Sequence, residues 1–426
     1  MHAASDGGGV YEHGNPILHE RQFDMKAGFA TNGRSMIDAA NELFPILRAN
    51  AAANESQRSI STASLDAIAA AGLWALLVPE RWGGSAMPSA TAASAVIAIA
   101  SACPSTGWIF EIYTTGAWMP SLQADAVQEA VYACGPPLVA GSTALCPQAP
   151  VAPRVERVDG GVLVSGTWDY VSGCKNADWG SFGVPIVGDD RATRQVPVMI
   201  PFDRVQIEDN WNAAGMRGTG SHRAVMQQEF VPDHLILGSM AGTGRPICYP
   251  RERHCGTASD HLTFNTVYSV LTASVLIGAA RGMLDEVLAN VSRRGVAYTP
   301  YKQQIDSQVA LHNVGEAALM IEAAEAMVMR CCDALDHHAG MAEPPPLALR
   351  QKVRGSTGYA GKLLRDASET LMTIGGASGF AADSILQRHW RDIAMASRHA
   401  VVNSNAAVEF YGRARAGILP ALVENY

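Results

Sequence analysis

Charge is scarce in this chain. Only 17% of its 426 residues are Asp, Glu, Lys or Arg, and 40 acidic residues against 32 basic ones leave a net charge of −8 at pH 7. No run or stripe of Lys and Arg is available to neutralise phosphates, so a nucleic-acid partner is not expected. The eight cysteines are scattered, the adjacent Cys331 and Cys332 point to different sides of a helix, and neither a CxxC nor a His-x-x-x-His spacing occurs. A disulfide framework and a metal site are therefore both unexpected. The first residues lack a basic, apolar signal segment, and no uninterrupted apolar run reaches membrane length. The expected setting is cytoplasmic, without a membrane partner. Also missing is the Gly-x-Gly-x-x-Gly turn of a nicotinamide-binding unit, so a reaction needing NAD(P)H would draw it through another protein.

What remains is apolar. Nearly half the residues (48%) are hydrophobic, and the chain is too long for one core, which suggests several packed units and an oligomer whose interfaces cover part of the surface. Residues 1 to 34 read as an arm. From 35 to 137 the spacing is helical: Ser35 to Leu47, a helix capped by Ser61 and Thr62 that runs through LDAIAAAGLWALL to Pro79, Ser89 to Ala102, a helix starting at Pro104, and about Asp125 to Ala133. Residues 138 to 260 switch to short alternating runs broken by Gly, Pro and Asp, with a hairpin signal at Asp159-Gly160-Gly161, and predict a small antiparallel β-barrel. From 261 to 426 the helical period returns in four pieces, Leu262 to Ser292, Ile305 to His337, Leu347 to Ile374 and Ala382 to Ala416, which describe a four-helix bundle. The expected class is mostly α with a central β domain.

Chemistry concentrates in the last helical stretch, Leu386 to Tyr411. Arg388, Asp392, His399 and Asn403 recur there at steps of four, seven and four, and so share one polar face of a continuous helix. Arg388 and Asp392 form an i,i+4 pair, whereas His399 and Asn403 find no partner on their own helix. A histidine in a cleft is a candidate acid or base; the alternative is a core histidine bonded to a carbonyl.

Six segments taken together, GLWALLVPERWGG (72 to 84), SGTWDYVSGCKNADW (165 to 179), DNWNAAGMRGTGSH (209 to 222), FVP (230 to 232), GAARGMLDEVL (278 to 288) and LQRHWRDIAMASRH (386 to 399), resemble the acyl-CoA dehydrogenase fold. The dehydrogenases of that fold use a carboxylate just after an Arg-Asp pair. Here no carboxylate follows Arg391-Asp392 until Glu409, and the SRH of 397 to 399 with the VSGC of 171 to 174 is similar instead to the fold's flavin-dependent monooxygenases. The resemblance implies the oxygenase component of a two-component system. It would take FMNH2 or FADH2 from a separate NAD(P)H:flavin reductase, react it with O2 to a C4a-hydroperoxyflavin, and oxygenate an aromatic or heteroaromatic small molecule. A dehydrogenase-type FAD enzyme with a relocated base, or a non-catalytic binding protein of the fold, are the alternatives.

By the same resemblance, Ser172 supplies a hydroxyl near flavin N5 and His399 bonds the peroxide or deprotonates the substrate. Ser142, Thr143, Trp211, Thr219, Ser221, Arg294 and Tyr301 join Ser172 in holding the cofactor. Trp108, Tyr113, Thr115, Trp118 and Asn403 face the substrate, and a homotetramer is implied because such sites draw partly on a neighbouring bundle. The fold's phenol hydroxylases place a histidine at the position aligned with Gly116, so a simple phenol is in doubt as substrate here.

Overall fold

The computed structural model describes residues 30–143, 149–187, 193–237 and 252–418. Among these residues six α-helices come first: α1 (Ala30–Glu42), α2 (Phe44–Gln57), α3 (Thr62–Ala70), α4 (Ser89–Ala102), α5 (Pro104–Trp118) and α6 (Asp125–Val131). The helix predicted from Ser35 to Leu47 is broken at Leu43, and Pro45 opens α2 in the first turn, where its missing N–H leaves no bond unmade. Ser61 caps α3 as expected by accepting from the Ser64 N–H. That helix does not run on to Pro79. It stops at Ala70 and turns at Gly72, and Leu73, Leu76, Leu77 and Val78 then all reach full burial, which successive positions of one amphipathic helix do not achieve.

Seven strands follow: β1 (Val139–Ser142), β2 (Arg154–Val158), β3 (Gly161–Val171), β4 (Trp179–Val187), β5 (Thr193–Pro201), β6 (Gln206–Glu208) and β7 (His222–Pro232). The predicted hairpin is present, with Val158 paired to Gly161 across Asp159 and Gly160. The predicted antiparallel barrel is not closed among the described residues. The strands form two separate sheets, β1-β4-β5 and β2-β3-β7-β6, and β1 runs parallel to β4. Register shifts at Val164/Gly166 and Trp168/Val171 bend β3 against β7. The sheets meet through Trp168 on Phe182, ring centres 5.3 Å apart, with the Trp168 indole donating to the Gly183 carbonyl.

The C-terminal part holds α7 (Phe264–Asn290), α8 (Gln308–Gly340), α9 (Leu347–Gly375), α10 (Ile385–Ala396) and α11 (Ser404–Arg415). Three of the four expected bundle helices match α7, α8 and α9. The fourth, Ala382 to Ala416, is two helices. α7 packs on α4, α5, α8, α9 and α10 at once. Among the described residues it alone is long and apolar enough to cross a membrane, and most of it is buried inside the protein.

Candidate active site

The polar stripe expected on one continuous helix is rearranged. α10 ends at Ala396, His399 caps a 3-10 turn at Ala400–Val402, and Asn403 caps α11, its Oδ1 accepting from the Asn405 and Ala406 N–H groups. Asn403 thus spends its acceptor on the backbone and not on a substrate. The predicted Arg388–Asp392 pair is absent as well. Arg388 and Arg391 both donate to Glu55 of α2, at 2.8 and 2.6 Å. Asp392 instead lies buried, accepting from the Met216 N–H and, at 3.4 Å, from the Ser105 hydroxyl. Burial pushes its carboxyl up to about 7, partly offset by the Met216 N–H.

Asp392 therefore anchors the glycine-rich loop before β7. A Cβ at Gly215 would lie 2.2 Å from the Arg391 carbonyl oxygen, so only glycine lets this loop lie on α10. From the anchored Met216 a row of hydroxyls leads back to β3. Thr219 Oγ1 donates to the Met216 carbonyl (2.8 Å), Ser221 Oγ is 2.6 Å from Thr219 Oγ1, and Ser172 Oγ is 2.8 Å from Ser221 Oγ. The Trp108 indole N–H of α5 donates to Ser172 Oγ at 3.3 Å. The Trp108 ring stands edge-on to His399 at 5.3 Å, and His399 stands edge-on to Tyr268 of α7 at 6.2 Å. Ser172 and His399, from two chain segments far apart in sequence, thus flank one tryptophan.

His399 is half-buried, and its Nδ1 accepts from the Val401 N–H at 3.4 Å, which places the proton of the neutral ring on Nε2. Burial, helped by the Arg354 charge, lowers its pKa to about 4, so the ring is neutral at physiological pH. Beside Ser221 opens a cleft of about 320 Å³ lined by Asp169, Tyr170, Trp211, Arg223 and, from α10, Met395. Trp211 is held there by its indole N–H on the Met216 carbonyl (3.1 Å) and its backbone N–H on His222 Nδ1 (3.1 Å).

The remaining expected residues lie elsewhere. Tyr113 donates to the Gly173 carbonyl at 2.6 Å and acts as a strut beneath the Ser172 turn. Thr115 donates to the Glu111 carbonyl of its own helix. Trp118 is fully buried against Phe264, some ten residues and so ~15 Å along α5 from Trp108. Ser142 closes β1 opposite Phe182, and just past it the carbonyl of Thr143 accepts from the Gln195 amide of β5, on the sheet away from Ser172. Arg294 donates to the Gly375 carbonyl and the Tyr301 carbonyl accepts from the Val296 N–H, both beyond the far end of α7. Tyr268 to Asn290 alone spans ~33 Å of helix. Neither residue reaches this chain's own cleft. At Gly116 a Cβ would meet the Val139 carbonyl oxygen at 2.5 Å, so β1 occupies the space a histidine there would need.

Two residues escaped the sequence reading. Asp392 was assigned to a pairing that its own helix suggested, and only the fold brings Met216 to it. Glu111, on the same face of α5 as Trp108, is fully buried with Thr272 Oγ1 at 3.4 Å. Thr272 Oγ1 also donates to the Tyr268 carbonyl at 2.7 Å, and burial raises the Glu111 carboxyl well above the ordinary range, partly offset by the Thr272 hydroxyl. A lone acidic residue in an apolar helix was the available signal.

Residues 38–142 match the family model described as the acyl-CoA dehydrogenase N-terminal domain, and residues 270–404 that of the C-terminal domain. The oxygenase subunit of a flavin-dependent monooxygenase from Rhodococcus jostii is 30% identical over 378 residues, 88% of this chain and 97% of that protein. The oxygenase component of p-hydroxyphenylacetate 3-hydroxylase from Acinetobacter baumannii is 26% identical over 402 residues, 91% of this chain and 90% of that one. XiaF from a Streptomyces species, solved in complex with FADH2 and glycerol, superposes with a TM-score of 0.83 at 27% identity, covering 92% of this chain and 98% of the other. With both family models matched over more than half of the chain and a 30% identical relative covered almost end to end, the chain belongs to the flavin-dependent monooxygenases built on the acyl-CoA dehydrogenase fold.

Proposed function

We propose that the cleft beside Ser221 holds a reduced flavin, FMNH2 or FADH2, supplied by a separate reductase, and that an aromatic or heteroaromatic small molecule is oxygenated between it and His399. The observation that carries this reading is the continuous path from the cleft through Ser221, Ser172 and Trp108 to His399. The residues suit the group: Trp211 and Tyr170 offer apolar walls to a flat ring, and Ser221 and Asp169 offer polar edges. One relative was solved in complex with FADH2 and another is a p-hydroxyphenylacetate 3-hydroxylase, which supports the class.

Reduced flavin, when bound, supplies the two electrons with which O2 delivers one oxygen atom to the substrate while the other leaves as water. The chain does the rest. Ser172 Oγ keeps a lone pair for the flavin edge. The Trp108 and Tyr268 rings keep water from the reacting face, which limits loss of oxidising equivalents as hydrogen peroxide. His399, neutral and protonated at Nε2, donates a hydrogen bond to the oxygen in transit. Arg294 and Tyr301 would contact flavin phosphate only from another protomer, consistent with a tetramer in which bundles share sites. The dehydrogenase reading is disfavoured by Glu409, which lies exposed on α11.

The test is stopped-flow absorbance on protein loaded anaerobically with FMNH2 or FADH2 and mixed with oxygenated buffer. A transient near ~380 nm that precedes oxidised flavin is expected. Reoxidation at the rate of free flavin would sink the reading, and a failure to bind flavin at all would leave a binding protein of this fold.

A further inference from the structure

The row of hydroxyls at Ser172 has a direction. A hydroxyl has one proton to give, and the Met216 carbonyl can only accept. That carbonyl also takes the Trp211 indole N–H at 3.1 Å and the Thr219 N–H at 3.2 Å, and Thr219 Oγ1, the nearest of the three at 2.8 Å, spends its proton there. Ser221 Oγ, 2.6 Å from Thr219 Oγ1, must donate to it, and Ser172 Oγ, 2.8 Å from Ser221 Oγ, must donate to Ser221. At the other end the Trp108 indole N–H can only donate, and it takes one lone pair of Ser172 Oγ. The alignment is enforced at both ends, and all three hydroxyls are buried, at 8%, 2% and 5% exposure for Ser172, Thr219 and Ser221. Among the described residues, these three hydroxyls have no further side-chain acceptor. Ser172 is left with one free lone pair and no proton to offer.

Flavin changes its demand at N5 with redox state. Reduced flavin carries N5–H, a donor; oxidised flavin has a bare N5, an acceptor. We infer that Thr219 and Ser221, neither of which need touch N5, are positioning residues that lock Ser172 as an acceptor and so make the site select reduced over oxidised flavin. The inference rests on the flavin reading of the cleft given above. It assigns a role to the Gly218 to Ser221 segment beyond shaping a turn. It also supplies a reason why spent flavin leaves: once oxidised, N5 faces an oxygen that has no proton to give, which is a lone pair against a lone pair.

The experiment measures binding, not turnover. Affinities for FMN and FAD are determined in both redox states, oxidised by fluorescence and reduced by anaerobic titration, for the full chain and the variants Ser221→Ala, Ser221→Thr, Thr219→Val and Ser172→Ala. The wild type is expected to prefer reduced flavin. Ser221→Ala frees the Ser172 proton to reach a bare N5, and should lower that preference ~10-fold, mainly by tightening oxidised flavin. Ser221→Thr keeps a hydroxyl and should keep the preference. Thr219→Val, which releases the Ser221 proton, should lower it by a smaller factor. With Ser172→Ala already in place, Ser221→Ala should change nothing further. A preference unchanged in Ser221→Ala, or effects of the two serine substitutions that simply add, would overturn the inference. Should the wild type produce the ~380 nm transient and yet bind both redox states alike, the relay alone is refuted; should it bind neither, the flavin reading falls with it.

Discussion

At His399 the decisive quantity is the protonation state. An unfolded histidine titrates near ~6.5, whereas this one titrates at about 4 because its surroundings desolvate the charged form. Between those values the unfolded chain binds more protons than the folded one. The contribution is therefore complete above ~6.5 and is lost as pH falls toward 4. His399 should add no break near 6.5 to the product yield, and pH–yield profiles of the wild type and of Asp392→Asn, which removes the carboxyl titrating at about 7, check it. A break at 6.5 would mean a solvated ring. His399→Ala is expected to keep flavin binding while lowering oxygen transfer roughly 100- to 10,000-fold in single-turnover product analysis. Ser172→Ala should instead shorten the ~380 nm transient several-fold and raise peroxide release, read by a peroxidase-coupled assay. Ser172 and His399 were singled out from their local strings, VSGC and SRH, and the fold brings the two strings to either side of Trp108. Their neighbour Trp108 was assigned to substrate, and the hydrogen bond it gives Ser172 depends on how α5 meets β3, which no string of residues records.

The loop from Asp209 to Ser221 and the turn from α10 to α11 are the elements on which the site depends. The loop is fixed by Asp392 and by the contact of Gly215 with the Arg391 carbonyl. Gly215→Ala forces backbone apart in a packed seam. A loss of about 1–3 kcal/mol in urea denaturation is expected, together with weaker flavin binding, because Trp211 and Ser221 move with the loop. Unaltered stability would show that the seam is loose. The turn explains why a helical reading of Leu386 to Tyr411 misplaced its stripe. Periodicity at 3.6 residues persists through a brief 3-10 interruption, and the residues there, Ser397 to Asn403, include no proline or glycine to announce a break. The same limitation produced the over-long helix after Ser61, since an apolar run buried on all sides has no period that separates helix from turns.

For the whole molecule, α8 leaves Val309 and Leu319 at 70 and 66% exposure, about 80° apart around the helix, apolar surface that the proposed tetramer would cover. Leu319→Asp combined with Val309→Asp should lower the mass seen by sedimentation from that of a tetramer and weaken flavin binding, because Arg294 and Tyr301 then lose the neighbouring cleft. A wild type that sediments as a monomer and still binds flavin tightly would refute the shared site. By itself the sequence determined the order of parts, helices, strands, helices, because hydrophobic period and turn residues are local properties. It also determined the class of chemistry, because the carboxylate absent after Asp392 and the serine and histidine present can be read in place. Only the tertiary structure decided that the two sheets stay open, that Asp392 serves a loop 176 residues away and not Arg388, and that Ser172 lies at the end of a row of buried hydroxyls. Each of these depends on which backbone donors and acceptors burial leaves within reach of one another, and distance along the chain carries no record of that.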